Sequence, residues 1–148
     1  MKLLMLSLTL FVAETTLLAL HQDFEAKLRA ISQIESGDND KAKGRHGELS
    51  RYQIKRSVWK QHFPDEKDQR HLPAEARRCA KAHLCWLEVR LCLIKKTNNP
   101  NPRDVYAAWN LGLAAYSQRD YTLAKLPRNI RQRADRFTNL YEDYRNHQ

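Results

Sequence analysis

Glu35-Ser36-Gly37 closes a stretch in which Phe24, Leu28 and Ile31 are spaced i, i+4 and i+7, the spacing of one face of a helix. At about 100° per residue, position 35 lies roughly 20° from Phe24 on the same stripe. It holds a carboxylate. A glutamate there meets apolar neighbours at the C-terminal end of a helix, where the macrodipole also disfavours negative charge. Both effects favour the protonated acid, the form a carboxyl group must hold to act as a general acid near neutral pH. The plain alternative is a solvated last-turn residue, with Gly37 as the left-handed stop after it.

The residues that follow bear on that choice. After Glu35-Ser36-Gly37 comes a polar loop, then Gly47-Glu48-Leu49-Ser50-Arg51-Tyr52-Gln53-Ile54, and later Ala108-Trp109-Asn110-Leu111-Gly112. In this order, and with a long helical stretch between the last two, these blocks resemble the lytic transglycosylase domain of the lysozyme-like superfamily. The resemblance spans roughly residues 24 to 118. It implies a helix ending in the catalytic acid, a loop crossing the cleft, and a glutamine-bearing turn that opens the next helix.

Glycosidic cleavage needs an acid to protonate the leaving oxygen as the sugar becomes oxocarbenium-like. By resemblance Glu35 is that acid; the alternatives are a hydrolysing muramidase with Glu48 as second carboxylate and a glycan-binding relic of the fold that has lost turnover. A hydrolase adds a second carboxylate, whereas lytic transglycosylases use one glutamate as acid and then as base. The muramyl 6-hydroxyl attacks the anomeric carbon and a 1,6-anhydro product leaves. Glu48, Asp38 and Asp40 are the candidate second carboxylates. Against that role, Asp38 and Asp40 are ordinary turn residues, and Glu48 can hold the loop by pairing with Arg45 or Arg51.

The resemblance also implies substrate contacts from Ser36, which follows the acid, and from Gln53, which touches substrate or braces the loop; Tyr52 stands where the family usually has an apolar residue such as Met, and is expected to line a sugar subsite. Trp109 departs from the family, which has a tyrosine there whose hydroxyl points at the catalytic carboxylate. An indole offers only an N–H donor, so Trp109 either stacks on sugar or donates to Glu35. Asn110 matches the family asparagine, yet falls off the apolar face, where it caps or braces backbone. No metal or cofactor is implied.

These residues need a helical scaffold to hold them. The long helix from about Pro73 to Lys96 carries Leu72, Ala76, Cys79, His83, Leu87, Leu91 and Ile94 at three- and four-residue steps. On that stripe His83 reads as a satisfied core histidine. Shorter helices run from Ser57 to Phe63, from Pro102 to about Tyr116, and from Pro127 to about Tyr144, the last with a solvated basic face. Asn98-Asn99-Pro100-Asn101-Pro102 is a break. In the fourth helix Ala108 and Gly112, four apart, would let another helix approach closely, which is the purely structural reading of that block. The fold expected is mainly α: one lysozyme-like domain of about five helices, with a small irregular or hairpin lobe at 38–53 beside the cleft.

Composition bounds the rest. A chain of 148 residues buries one core. Its formal net charge of +9 suits an anionic partner, and peptidoglycan glycan strands fit the resemblance. Nucleic acid is not expected, because no nucleic-acid-reading motif is present. Nothing calls for more than a monomer. Met1-Lys2 precedes an apolar run, Leu3 to Ala13, followed by Glu14-Thr15-Thr16 and Leu17-Leu18-Ala19-Leu20. That pattern reads as a secretory signal or uncleaved anchor over 1–20, with the domain at 21–148 in the periplasm or outside the cell. Cys85 and Cys92 share a face of the long helix but stand about 10 Å apart along its axis, beyond the roughly 7 Å that a disulfide spans. Cys79 points the other way, so the three read as small buried hydrophobes.

Overall fold

The computed structural model describes residues 22–147, and the expected signal or anchor at 1–20 lies outside them. The chain is mainly helical. Helix α1 covers residues 22–36, α2 Arg56–His62, α3 Pro73–Lys95, α4 Pro102–Leu111, α5 Leu113–Ser117 and α6 Arg128–Asn146, with one 3-10 turn at Leu123–Lys125. Among the described residues no helix is long and apolar enough to cross a membrane.

Local chemistry sets these boundaries. Pro73 and Pro102 occupy first turns, where a missing N–H costs nothing. The Asn101 side chain caps α4 by accepting from the Arg103 amide at 2.9 Å. Lys96 ends α3 in the left-handed region, at φ 51°. The helix expected from Pro102 to Tyr116 is two helices, because Gly112 sits at φ 81°, ψ 152°. That conformation is cheap only for glycine and breaks the ladder. Gly112 is therefore a hinge between α4 and α5, not a small residue on a continuous packing face.

Helix α4 is the axle of the structure. It packs most extensively on α6 and also meets α3, α5 and the 3-10 turn. Five consecutive residues, Asp104 to Ala108, are buried, so the middle of α4 has no solvent face. Around it Leu28 and Ile31 of α1, Leu84, Leu87 and Leu91 of α3, and Phe137 of α6 are fully sealed. The one buried carboxylate of α4, Asp104, is matched by Lys95 at 2.6 Å and by the Tyr116 hydroxyl, as a buried charge requires.

The cysteine expectation holds for Cys79 alone. All three are free, with Cys79 buried, Cys92 half-buried and Cys85 exposed, because residue 85 lies off the stripe that α3 turns inward. Leu72 is likewise exposed, since it precedes the helix instead of starting its stripe.

Residues 37–55 form the small lobe. No strand develops among them; Leu49 alone makes isolated antiparallel bridges to Lys43 and to Ile54. Gly44 is required by close approach, for a Cβ there would run into the Glu48 carboxylate and lie 2.7 Å from Gln53 Oε1. Arg70, only 4% exposed, ties this lobe to the start of α3. Its Nη1 donates to the carbonyls of Ile54 at 2.6 Å and Gly47 at 3.1 Å, while Nε and Nη2 grip Asp68 at 2.8 Å each.

Candidate active site

Glu35 occupies the last turn of α1, and its side chain is 9% exposed. Two helices reach it. The Tyr106 hydroxyl of α4 donates to Oε1 at 2.7 Å, and Arg133 Nη2 of α6 stands 3.1 Å from Oε2. Arg133 also donates to the Ile34 carbonyl at 3.4 Å, so one guanidinium serves both the carboxylate and the open end of the α1 ladder. The Tyr106 ring is fixed from below by Phe137, stacked at 5.4 Å and 26°. Burial, and then the Glu35 charge, push the Tyr106 phenol far above its ordinary value, which keeps it a proton-bearing donor.

This environment differs from the sequence expectation in one respect. Glu35 is shielded from solvent, but it is not a lone acid among apolar side chains. The residues that hold it, Tyr106 and Arg133, were invisible to the periodicity.

Glu35 lines a cleft of about 660 Å³ bounded by the lobe, α2, the middle of α3 and the end of α4. Of the residues drawn from the resemblance, Glu48, Gln53, Trp109 and Asn110 line the same cleft. Ser36 and Tyr52 do not. Ser36 donates to the Arg51 carbonyl at 2.9 Å and accepts from the Asn39 amide at 3.0 Å, so it ties helix end to lobe. Tyr52 is 3% exposed and belongs to the core; the lobe turns it inward, away from any sugar subsite. Gln53, at φ 48°, donates through Nε2 to the Ser50 carbonyl at 2.9 Å and so braces its own turn at the cleft wall.

The three candidate second carboxylates part company. Asp40 is gripped by Arg51 at 2.6 and 2.7 Å, which holds its carboxyl below the usual range. Asp38 accepts from the Ser32 hydroxyl. Both serve the lobe and neither lines the cleft. Glu48 does line it, but Oε2 accepts from the His46 amide at 2.9 Å. Burial raises its carboxyl, and the amides of Glu48 and His46 outweigh that and leave it below the usual range. The expected pairing of Glu48 with Arg45 or Arg51 is replaced by these amides.

An aromatic cluster completes the wall. His83 of α3 accepts or donates at Nδ1 across 3.1 Å to His62 Nε2 of α2, stacks on Trp86 at 5.7 Å and 16°, and meets Trp109 at 5.3 Å. Burial, reinforced by His62, lowers the His83 imidazole to about 4.

Comparison with family models, curated proteins and solved structures gives no match to this chain. The site must speak for itself. Its content is one shielded carboxylate with a phenol donor and a guanidinium, set in an open cleft with an aromatic wall.

Two expected outcomes follow from this geometry. In Tyr106→Phe the ring still stacks on Phe137, but Glu35 loses its phenol hydrogen bond, a contact worth about 0.5–1.5 kcal/mol to a neutral acid and about 1.5–3 kcal/mol to a carboxylate. The variant should stay folded and lose stability on that scale in denaturant unfolding; an unchanged midpoint would mean that the bond contributes nothing. The second concerns acid. The folded chain holds His83 neutral down to about 4, whereas an unfolded histidine titrates near 6.5, so the unfolded state binds more protons between those values. The stability present above about pH 6.5 is therefore lost as pH falls toward 4, by about 3 kcal/mol. Melting curves of wild type and His83→Phe should diverge across that window; parallel curves would contradict it.

Proposed function

We propose that this chain cleaves peptidoglycan glycan strands at the MurNAc-GlcNAc β-1,4 bond, as a lytic transglycosylase outside the cytoplasmic membrane. The observation that carries the reading is a shielded carboxylate on the cleft: Glu35 is 9% exposed, held at 2.7 Å by the Tyr106 hydroxyl, and lines a cleft of about 660 Å³. The blocks around it supply the resemblance, and the +9 charge suits an anionic wall.

In this reading Glu35 gives its proton to the leaving oxygen. Tyr106 and Arg133 then stabilise the carboxylate that remains, an interaction gained as charge develops and therefore catalytic. The carboxylate takes the proton of the muramyl 6-hydroxyl as that oxygen attacks the anomeric carbon, which returns Glu35 to the acid form. No water is consumed. Trp109 and Asn110 line the path of the strand.

A hydrolysing muramidase is the second reading, and it rests on Glu48, the other carboxylate of the cleft wall. Its engagement with the His46 amide ranks it behind. Digestion of purified peptidoglycan by the full chain, with mass spectrometry of the products, separates the two. Anhydro products, lighter by one water than ordinary muropeptides, support the transglycosylase. Reducing-end products mean the hydrolase. Intact peptidoglycan after prolonged digestion overturns both.

A further inference from the structure

His83 has a chemistry that the acid site does not use. It is 6% exposed, yet it belongs to the lining of the cleft. One face lies on Trp86, its edge meets Trp109, and Nδ1 is committed to His62. Among the described residues its Nε2 has no hydrogen-bond partner. A nitrogen without a protein partner that is not sealed from solvent, on a residue that lines a cleft, is a place where a ligand atom can bond.

The surroundings define that atom. Trp86 and Trp109 flank the imidazole, so the group that reaches Nε2 lies against aromatic faces. A pyranose ring has that character: its C–H face lies on an indole while a ring substituent makes the directed bond. The His62 bond fixes which partner is needed. When His62 Nε2–H donates, His83 carries its own proton on Nε2 and donates to an oxygen; when His83 Nδ1–H donates, Nε2 accepts from a hydroxyl.

We infer that His83, walled by Trp86 and Trp109, is a specificity-determining subsite that binds an uncharged sugar unit of the strand through one hydrogen bond at Nε2. His62 is its positioning residue, acting through Nδ1. The inference rests on the glycan reading and names which part of the strand the aromatic wall holds: a neutral ring bearing a hydroxyl or acetamido oxygen, not a charged substituent.

The test uses the full chain carrying Glu35→Gln, which stops turnover, and chitotetraose as the probe. Binding is followed by tryptophan fluorescence and by the imidazole ¹⁵N resonances. His83→Phe keeps a ring on Trp86 but removes both nitrogens, and should weaken binding about tenfold, the scale of one net hydrogen bond. His83→Gln, which restores a donor and an acceptor, should recover part of the loss. His62→Phe should weaken binding by about threefold, because it frees the imidazole without removing it. In the otherwise wild-type enzyme His83→Phe should raise KM and leave kcat nearly unchanged, as for binding shared by ground and transition states. The His83 resonances should shift on saturation, a readout that needs no substitution and survives a variant that fails to fold. Unshifted resonances at saturation, or His83→Phe binding like its parent, would overturn the subsite while cleavage of peptidoglycan left the enzyme reading intact. A chain that neither binds the probe nor cleaves peptidoglycan overturns both.

Discussion

Glu35→Gln is expected to leave a folded chain that releases no products from peptidoglycan. The expected drop is about 10²–10⁴-fold in kcat, the contribution typical of a positioned general acid and base. The amide has the shape of the carboxyl group it replaces, and its carbonyl oxygen can still accept from the Tyr106 hydroxyl, so the α1–α4 contact survives. Arg133 loses its partner but is 38% exposed, and water replaces the carboxylate. The stability change is therefore expected within about 1 kcal/mol, the scale of a partly exposed ion pair. Activity and melting temperature thus separate. A variant that melts with the wild type and does not cleave places the chemistry on Glu35. A variant that still turns over within tenfold of wild type would move the acid elsewhere, with Glu48 the remaining carboxylate of the cleft.

How much of this was legible in the sequence depends on whether the signal was local. Helix α3 was readable because its inward residues repeat at three and four steps and proline marks its start; the boundary differs by one residue. The stripe that points Glu35 inward was readable for the same reason. The α4–α5 break was not, because a single glycine can lie inside a helix or end one, and only its φ decides. Tyr106 was missed because α4 is buried on successive residues, so no period distinguishes its faces. The signal that could have found it is its position one turn before Trp109, where a tyrosine supplies the hydroxyl that the indole lacks.

Arg133 lay hidden among Arg128, Arg131 and Arg136 in a helix that reads as a solvated basic face. Only the packing of α6 on α4 selects it. The His62–His83 bond joins residues 21 apart on separate helices, beyond the reach of any periodic argument. Tyr52 went the other way. Its place beside Gln53 suggested the cleft, yet the position is one the family fills with an apolar residue, and the lobe buries it.

That lobe leads to the second large effect. Arg70→Met should cost about 3–5 kcal/mol, because two lobe carbonyls lose their donor at about 1–3 kcal/mol each and a half-shielded ion pair goes with them. The methionine fills much of the space of the arginine stem, so the loss isolates the guanidinium. Three acceptors lose their donor at once: the Gly47 and Ile54 carbonyls and the Asp68 carboxylate. The first two belong to the lobe, whose own ladder consists of the isolated bridges around Leu49; without Arg70 its attachment falls to the core side chains Tyr52 and Ile54 and to the Ser36 bond to the Arg51 carbonyl. For a domain of this size the melting temperature should fall by about 10 °C.

Asp68→Asn should cost less, because its side chain is 27% exposed and Arg70 keeps both carbonyls. Cleavage should decline with the lobe, since Gly44, Glu48 and Gln53 enter the cleft from it. Hydrogen exchange distinguishes a local from a global effect: the amides of Leu49 and Ile54, paired with each other at 3.1 and 2.9 Å, should lose protection before those of α3. Equal loss throughout would make Arg70 a global fold determinant. Unchanged melting and exchange would mean that the lobe is held without it.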